Sequence, residues 1–100
     1  MYKINYAAFT HPGRVRENNE DNFYADKKWR RDVTEGCLAV EGTVRNEKLV
    51  LSVCDGMGGQ ELGERASLIA VETLDQYLKQ EKSSYQIKHH HVLHYIYNIL

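Results

Sequence analysis

Asp55-Gly56-Met57-Gly58-Gly59 puts a carboxylate on glycine-rich backbone directly after the apolar run Leu49-Val50-Leu51-Ser52-Val53-Cys54. A short apolar run of this kind reads as a strand covered on both faces, so Asp55 falls at the rim of a sheet. Hard divalent cations take oxygen ligands, and a backbone carbonyl serves beside a carboxylate. Glycine leaves that carbonyl free to turn toward an ion. Two other readings fit a glycine-rich segment after a strand: a plain tight turn, and a phosphate-cradling loop. The P-loop form is excluded, because no Gly-Lys-Ser/Thr follows. Upstream, Arg16 and then Glu20-Asp21 place a guanidinium and two adjacent carboxylates just ahead of another strand-like stretch. On charge pattern alone, a solvated cluster explains such a run. Side chains of neighbouring residues on extended backbone point opposite ways, so Glu20 and Asp21 are not expected to reach one ion together.

Taken together, the two segments resemble the motifs of the metal-dependent, type 2C family of protein serine/threonine phosphatases in its bacterial form. Gly13-Arg14-Val15-Arg16-Glu17-Asn18-Asn19-Glu20-Asp21 is similar to that family's first motif. Asp55-Gly56-Met57-Gly58-Gly59, continued by Gly63-Glu64-Arg65-Ala66-Ser67, is similar to its second, in the same order and at a fitting separation. The resemblance covers Tyr6 to Leu78. It implies an α+β fold, the N-terminal portion of a four-layer α-β-β-α sandwich with two antiparallel sheets, and a cleft for two ions, Mn²⁺ or Mg²⁺, at one end of the sheets.

By the same resemblance Asp55 is the catalytic carboxylate that bridges both ions, and Gly56 lends one of them its backbone carbonyl. Glu20 and Asp21 hold metal through bound water. Arg16 is the clamp on the substrate phosphate, a role that suits a planar, permanently charged fork of donors. The implied reaction is hydrolysis of phosphoserine and phosphothreonine in protein substrates by water that the two ions activate. Eukaryotic relatives protonate the leaving oxygen from a histidine beside the Asp-Gly pair; Met57 stands there, as in many bacterial relatives, and cannot donate. Family members are more than twice this length, and their later segments bring two further aspartates. The resemblance therefore implies that residues 1–100 are the N-terminal part of a single phosphatase domain, ending within its second helix, with one wall of the metal site. The alternative is a phosphatase-like module that binds phosphopeptides or a partner without turnover.

The elements that must carry these residues are legible in the hydrophobic pattern. Strands are expected over Lys3 to Phe9, Asn22 to Ala25, Gly36 to Val44 and Leu49 to Cys54, with Arg45-Asn46-Glu47-Lys48 joining the last two as an antiparallel hairpin. Ala66, Ile69, Ala70, Thr73, Leu74, Tyr77 and Leu78 then recur at three and four residues, one face of an amphipathic helix that fades at Lys82-Ser83-Ser84. A second helical period, with Val92, Leu93, Tyr95, Ile96, Ile99 and Leu100, begins near His89.

Composition narrows the class of partner. With 42% hydrophobic and 27% charged residues the chain is neither a disordered segment nor a membrane span. Thirteen Lys and Arg against 14 Asp and Glu give a net charge of −1, which offers no field to draw nucleic acid or an anionic membrane. Residues 1–5 lack the basic and apolar stretches of a secretory signal, so a cytoplasmic location is expected. Cys37 and Cys54, with no CxxC partner, read as small buried hydrophobes. Among weaker candidates, His90 and His94 stand one helical turn apart beside His89 and His91, a zinc-like spacing also consistent with a solvated helix start. Trp29-Arg30-Arg31 reads as surface loop, Tyr77 and Leu78 as core, and Ser67 and Thr73 lack a base that would make them nucleophiles.

Overall fold

Burial separates two kinds of strand, and each kind builds its own sheet. A computed structural model describes residues 1–56, 60–81 and 92–99, an α+β arrangement. In β1 (Lys3–Thr10) inward and outward residues alternate: Tyr6 and Thr10 are buried, whereas Lys3, Asn5, Ala7 and Phe9 face out. β3 (Leu38–Arg45) alternates likewise and pairs with β1 antiparallel, from Lys3 opposite Arg45 to Thr10 opposite Leu38. Gly42 lies across from Tyr6, whose ring fills the space a Cβ would need.

β2 (Asp21–Ala25) and β4 (Leu49–Gly56) are buried almost continuously, because both of their faces are covered. Toward the β1–β3 sheet, Phe23, Ala25 and Leu49 join Tyr6 and Val44 in one core, flanked by Ile4, Val40 and Leu51. On the opposite face Tyr24, Val50 and Cys54 meet Val71, Leu68, Leu74 and Leu78 of the helix α1 (Gln60–Glu81). The order of layers is therefore sheet, sheet, helix. Tyr24 Oη donates to Asp75 Oδ1 at 2.8 Å, which pins α1 to β2, and within the helix Lys79 Nζ lies 2.9 Å from Asp75 Oδ2. Burial pushes the Asp75 carboxyl up, but its bonds from Lys79 and Tyr24 outweigh this and hold it below the ordinary value.

Four expectations from sequence are corrected here. Arg45 to Lys48 is not a hairpin, since β3 pairs with β1 and β4 with β2. Asn46, at φ 54°, exchanges bonds with Tyr2 through N–H to carbonyl at 3.1 Å and Oδ1 from Tyr2 N–H at 2.8 Å, tying the end of β3 back to β1. Val92–Ile99 is a strand, β5, rather than a second helix, and it runs parallel to β4 from Leu49 opposite Val92 to Gly56 opposite Ile99. Its Val, Ile and Tyr residues favour a pleated surface, and β4 would otherwise leave one edge of backbone groups unpaired. The two sheets are thus antiparallel in β1–β3 and β2–β4, with a parallel strand added. Cys37 is exposed, while Cys54 is buried.

The helix face is the fourth correction. Ile69 and Tyr77 are 60% and 57% exposed, so they lie off the buried stripe. That stripe runs through Glu64, Ser67, Leu68, Val71, Leu74, Asp75 and Leu78, at the same three- and four-residue spacing but rotated. Replacing Val71 by Ala should lower unfolding free energy by about 2 kcal/mol, and Ile69 by Ala by no more than about 0.5 kcal/mol, in urea denaturation.

Candidate functional site

The ladder between β2 and β4 brings the two distant motifs together. Asp21, the first residue of β2, is the register partner of Asp55 near the end of β4. Directly opposed residues of an antiparallel pair carry their side chains on the same face, so the carboxyl groups stand side by side. One position further, the Gly56 N–H donates to the Glu20 carbonyl at 3.2 Å. Glu20, Asp21, Asp55 and Gly56 therefore share one end of the sheet.

Two glycines allow the helix to close against that end. A Cβ on Gly56 would strike the Gly63 carbonyl and come 2.7 Å from the Glu20 carbonyl oxygen. A Cβ on Gly63 would come 2.8 Å from Glu20 Cδ. The Glu20 side chain thus lies along α1, while Asp21 meets Asp55; adjacent residues diverge as extended backbone requires. Arg16 stands at the rim. Its side chain is 70% exposed, with Nη1 3.9 Å from Glu20 Oε2, a loose ion pair that leaves most of its donors to solvent.

The local electrostatics are strained in one direction. Burial raises the Asp21 pKa above its ordinary 3.8, and hydrogen bonding to Asp55 and repulsion from it add to the rise. Arg16 opposes this and Glu20 reinforces it. Asp21 Oδ1 is buried without a hydrogen-bond partner. Two carboxylates this close favour sharing a proton or a cation. The donor set is of the hard-oxygen kind that suits Mg²⁺ or Mn²⁺. It is small, however: among the described residues no group of three or more His, Cys, Asp or Glu side chains gathers as a metal site.

The backbone that carries Glu20 and Asp21 is braced by Asn19 and Arg30. Asn19 is buried; its Nδ2 donates to Thr10 Oγ1 at 2.7 Å and to the Gly36 carbonyl at 2.8 Å, and its Oδ1 accepts from the Asp21 N–H at 3.0 Å. Arg30 is not surface loop but buried, and it donates to the carbonyls of Asn19, Asp21 and Glu35. It returns there because Asp26 and Lys27, both at positive φ, make a two-residue turn closed by bonds between Ala25 and Lys28. Asn22 then grips Arg30 from both sides, Nδ2 to its carbonyl and Oδ1 from its N–H. An asparagine ahead of an acidic pair is a recognisable turn-former; no comparable signal marks Arg30. Trp29 is half-buried, stacked on Tyr24, with the Arg31 guanidinium 4.1 Å from its ring centre.

Met57, Gly58 and Gly59 of the second motif, and His89, His90 and His91, lie outside the described residues. His94 stands on the strand β5 opposite Leu51. Ser67 donates to the Glu64 carbonyl at 3.1 Å, a helix back-bond. No family model, no curated protein and no solved structure matches the chain.

The raised Asp21 pKa has a sign that can be checked. The folded chain holds that proton more tightly than the unfolded one, so stability falls as pH rises from the ordinary value of 3.8 through the folded value. In metal-free buffer, Asp21→Asn should therefore unfold at higher urea than the parent at pH 7, with the difference vanishing below pH 3.8.

Proposed function

We propose that this chain is the N-terminal part of a metal-dependent protein serine/threonine phosphatase, acting on phosphoserine and phosphothreonine proteins in the cytoplasm. The observation that carries the reading is the register of Asp21 with Asp55: two motifs far apart in sequence meet as a carboxylate pair with a buried, unpartnered oxygen. A divalent ion, Mn²⁺ or Mg²⁺, would supply Lewis acidity toward a phosphate ester there. Asp55 and the Gly56 carbonyl would hold it directly, and Asp21 and Glu20 through water. Arg16, exposed at the rim, would donate to the phosphate oxygens. The described sheet, sheet and helix are compatible with three layers of a four-layer α-β-β-α sandwich. No described helix is long and apolar enough to cross a membrane.

A second reading is favoured by Arg16 itself. Held to Glu20 only at 3.9 Å and 70% exposed, it is available to a phosphate whether or not a metal is present. The chain would then bind phosphopeptides without hydrolysing them.

Titration calorimetry with Mn²⁺ tests the first reading. With so few carboxylates the dissociation constant should be about 0.1–1 mM, and Asp55→Asn should weaken it at least about tenfold. Equal binding by the parent and the Asp55 variant sinks the assignment. In the complete phosphatase domain, Asp55→Asn should abolish manganese-dependent hydrolysis of p-nitrophenyl phosphate. Arg16→Ala should raise KM about tenfold with kcat little changed, because the clamp holds ground and transition states alike. Arg16-dependent phosphopeptide binding with no turnover would select the second reading.

A further inference from the structure

The largest fully buried side chain among the described residues is a charged one, Arg30, at 2% exposure. Burying a guanidinium is unfavourable, and an apolar residue of similar volume is commonly at least as stable in such a place. Burial accordingly pulls the Arg30 pKa down, against the attraction of Glu64 and Asp21. Packing alone does not account for the residue.

Its hydrogen bonds do. Nη2 donates to the carbonyls of Asn19 at 2.8 Å and Asp21 at 3.0 Å, and Nη1 to that of Glu35 at 2.9 Å. The first two carbonyls bracket Glu20, whose own carbonyl receives the Gly56 N–H. A planar fork holds its donors toward carbonyls of separate segments in one fixed geometry, whereas an ammonium is a compact point charge on a flexible stem. On α1, Glu64 is buried at 7% exposure, with Oε1 unpartnered like Arg30 Nε. The same helix turn holds Gly63, against which the Glu20 side chain rests.

We propose that Arg30 is a positioning residue: its fork fixes the main chain on both sides of Glu20, and so holds Glu20 and Asp21 in place against Asp55 and Gly56. Its bearing on a divalent ion rests on the phosphatase reading. Its bearing on the backbone does not.

Amide hydrogen exchange on the metal-free chain and its Arg30→Lys variant tests the proposal. The amides of Asp21, bonded to Asn19 Oδ1, and Gly56, bonded to the Glu20 carbonyl, should exchange about tenfold faster in the variant. Those of Asp26, bonded to the Val50 carbonyl, and Asn46, bonded to the Tyr2 carbonyl, should stay within about twofold. Acceleration at all four, or at none, overturns it. If the variant does not fold, the wild-type chain in low urea decides: the Arg30 guanidinium protons and the Asp21 and Gly56 amides must open with one common denaturant dependence, and separate dependences overturn the proposal. Mn²⁺ titration of the same samples separates the two questions. A wild-type chain that binds no Mn²⁺ refutes the metal reading, while the exchange pattern still decides the role of Arg30.

Discussion

The antiparallel pairing of β2 with β4 is the interaction on which the rest depends. It lies between the β1–β3 sheet and α1, so most of its apolar residues are committed to one of two cores. Phe23 and Ala25 face one way, Tyr24 the other, and this alternation permits a single register. A slip of one residue would turn Phe23 toward the helix and Asp21 away from Asp55. The hydrophobic effect that assembles the layers therefore also sets the register that opposes Asp21 to Asp55.

That placement runs against local stability. Asp21 has a desolvated carboxyl beside a second one, and a buried oxygen that nothing donates to. Such arrangements persist where the surroundings over-determine them. Here Asn19, Arg30 and Asn22 hold the backbone while the apolar residues of β2 and β4 hold the strands. The bracing is polar and internal, and the packing is apolar and spread over both faces.

Much of this was legible in the sequence. The four N-terminal strands were visible to within two or three residues at each end, because β1 and β3 alternate and β4 is a continuous apolar run. The rim position of Asp55 followed from that run, and the structure sets Glu20, Asp21 and Gly56 beside it. Pairing was not legible: a short polar link such as Arg45 to Lys48 suits a hairpin and a crossing between sheets equally well, and only the choice of partner strands separates them. The face of α1 was read in part: Ala70, Leu74 and Leu78 pack against the core as expected, but Glu64, Ser67 and Asp75 join the buried stripe while Ile69 and Tyr77 sit outside it. Residues 92–99 satisfy a helical period and a strand composition together, and the open edge of β4 decides between them. Arg30 was read as surface because Trp29-Arg30-Arg31 lies in a charged stretch, Asp26 to Glu35, between strands; its burial follows from a turn five residues after Asp21 that folds the chain back on itself.

The contact between Gly56 and Gly63 has a further consequence. The end of β4 and the first turn of α1 approach each other main chain to main chain, with no side chain between them whose size might vary. Most distances in a protein can drift over generations by exchanging one methylene for another in the intervening layer. This one has no such layer. The separation of β4 from α1 at this end is in effect a fixed gauge, set by backbone against backbone.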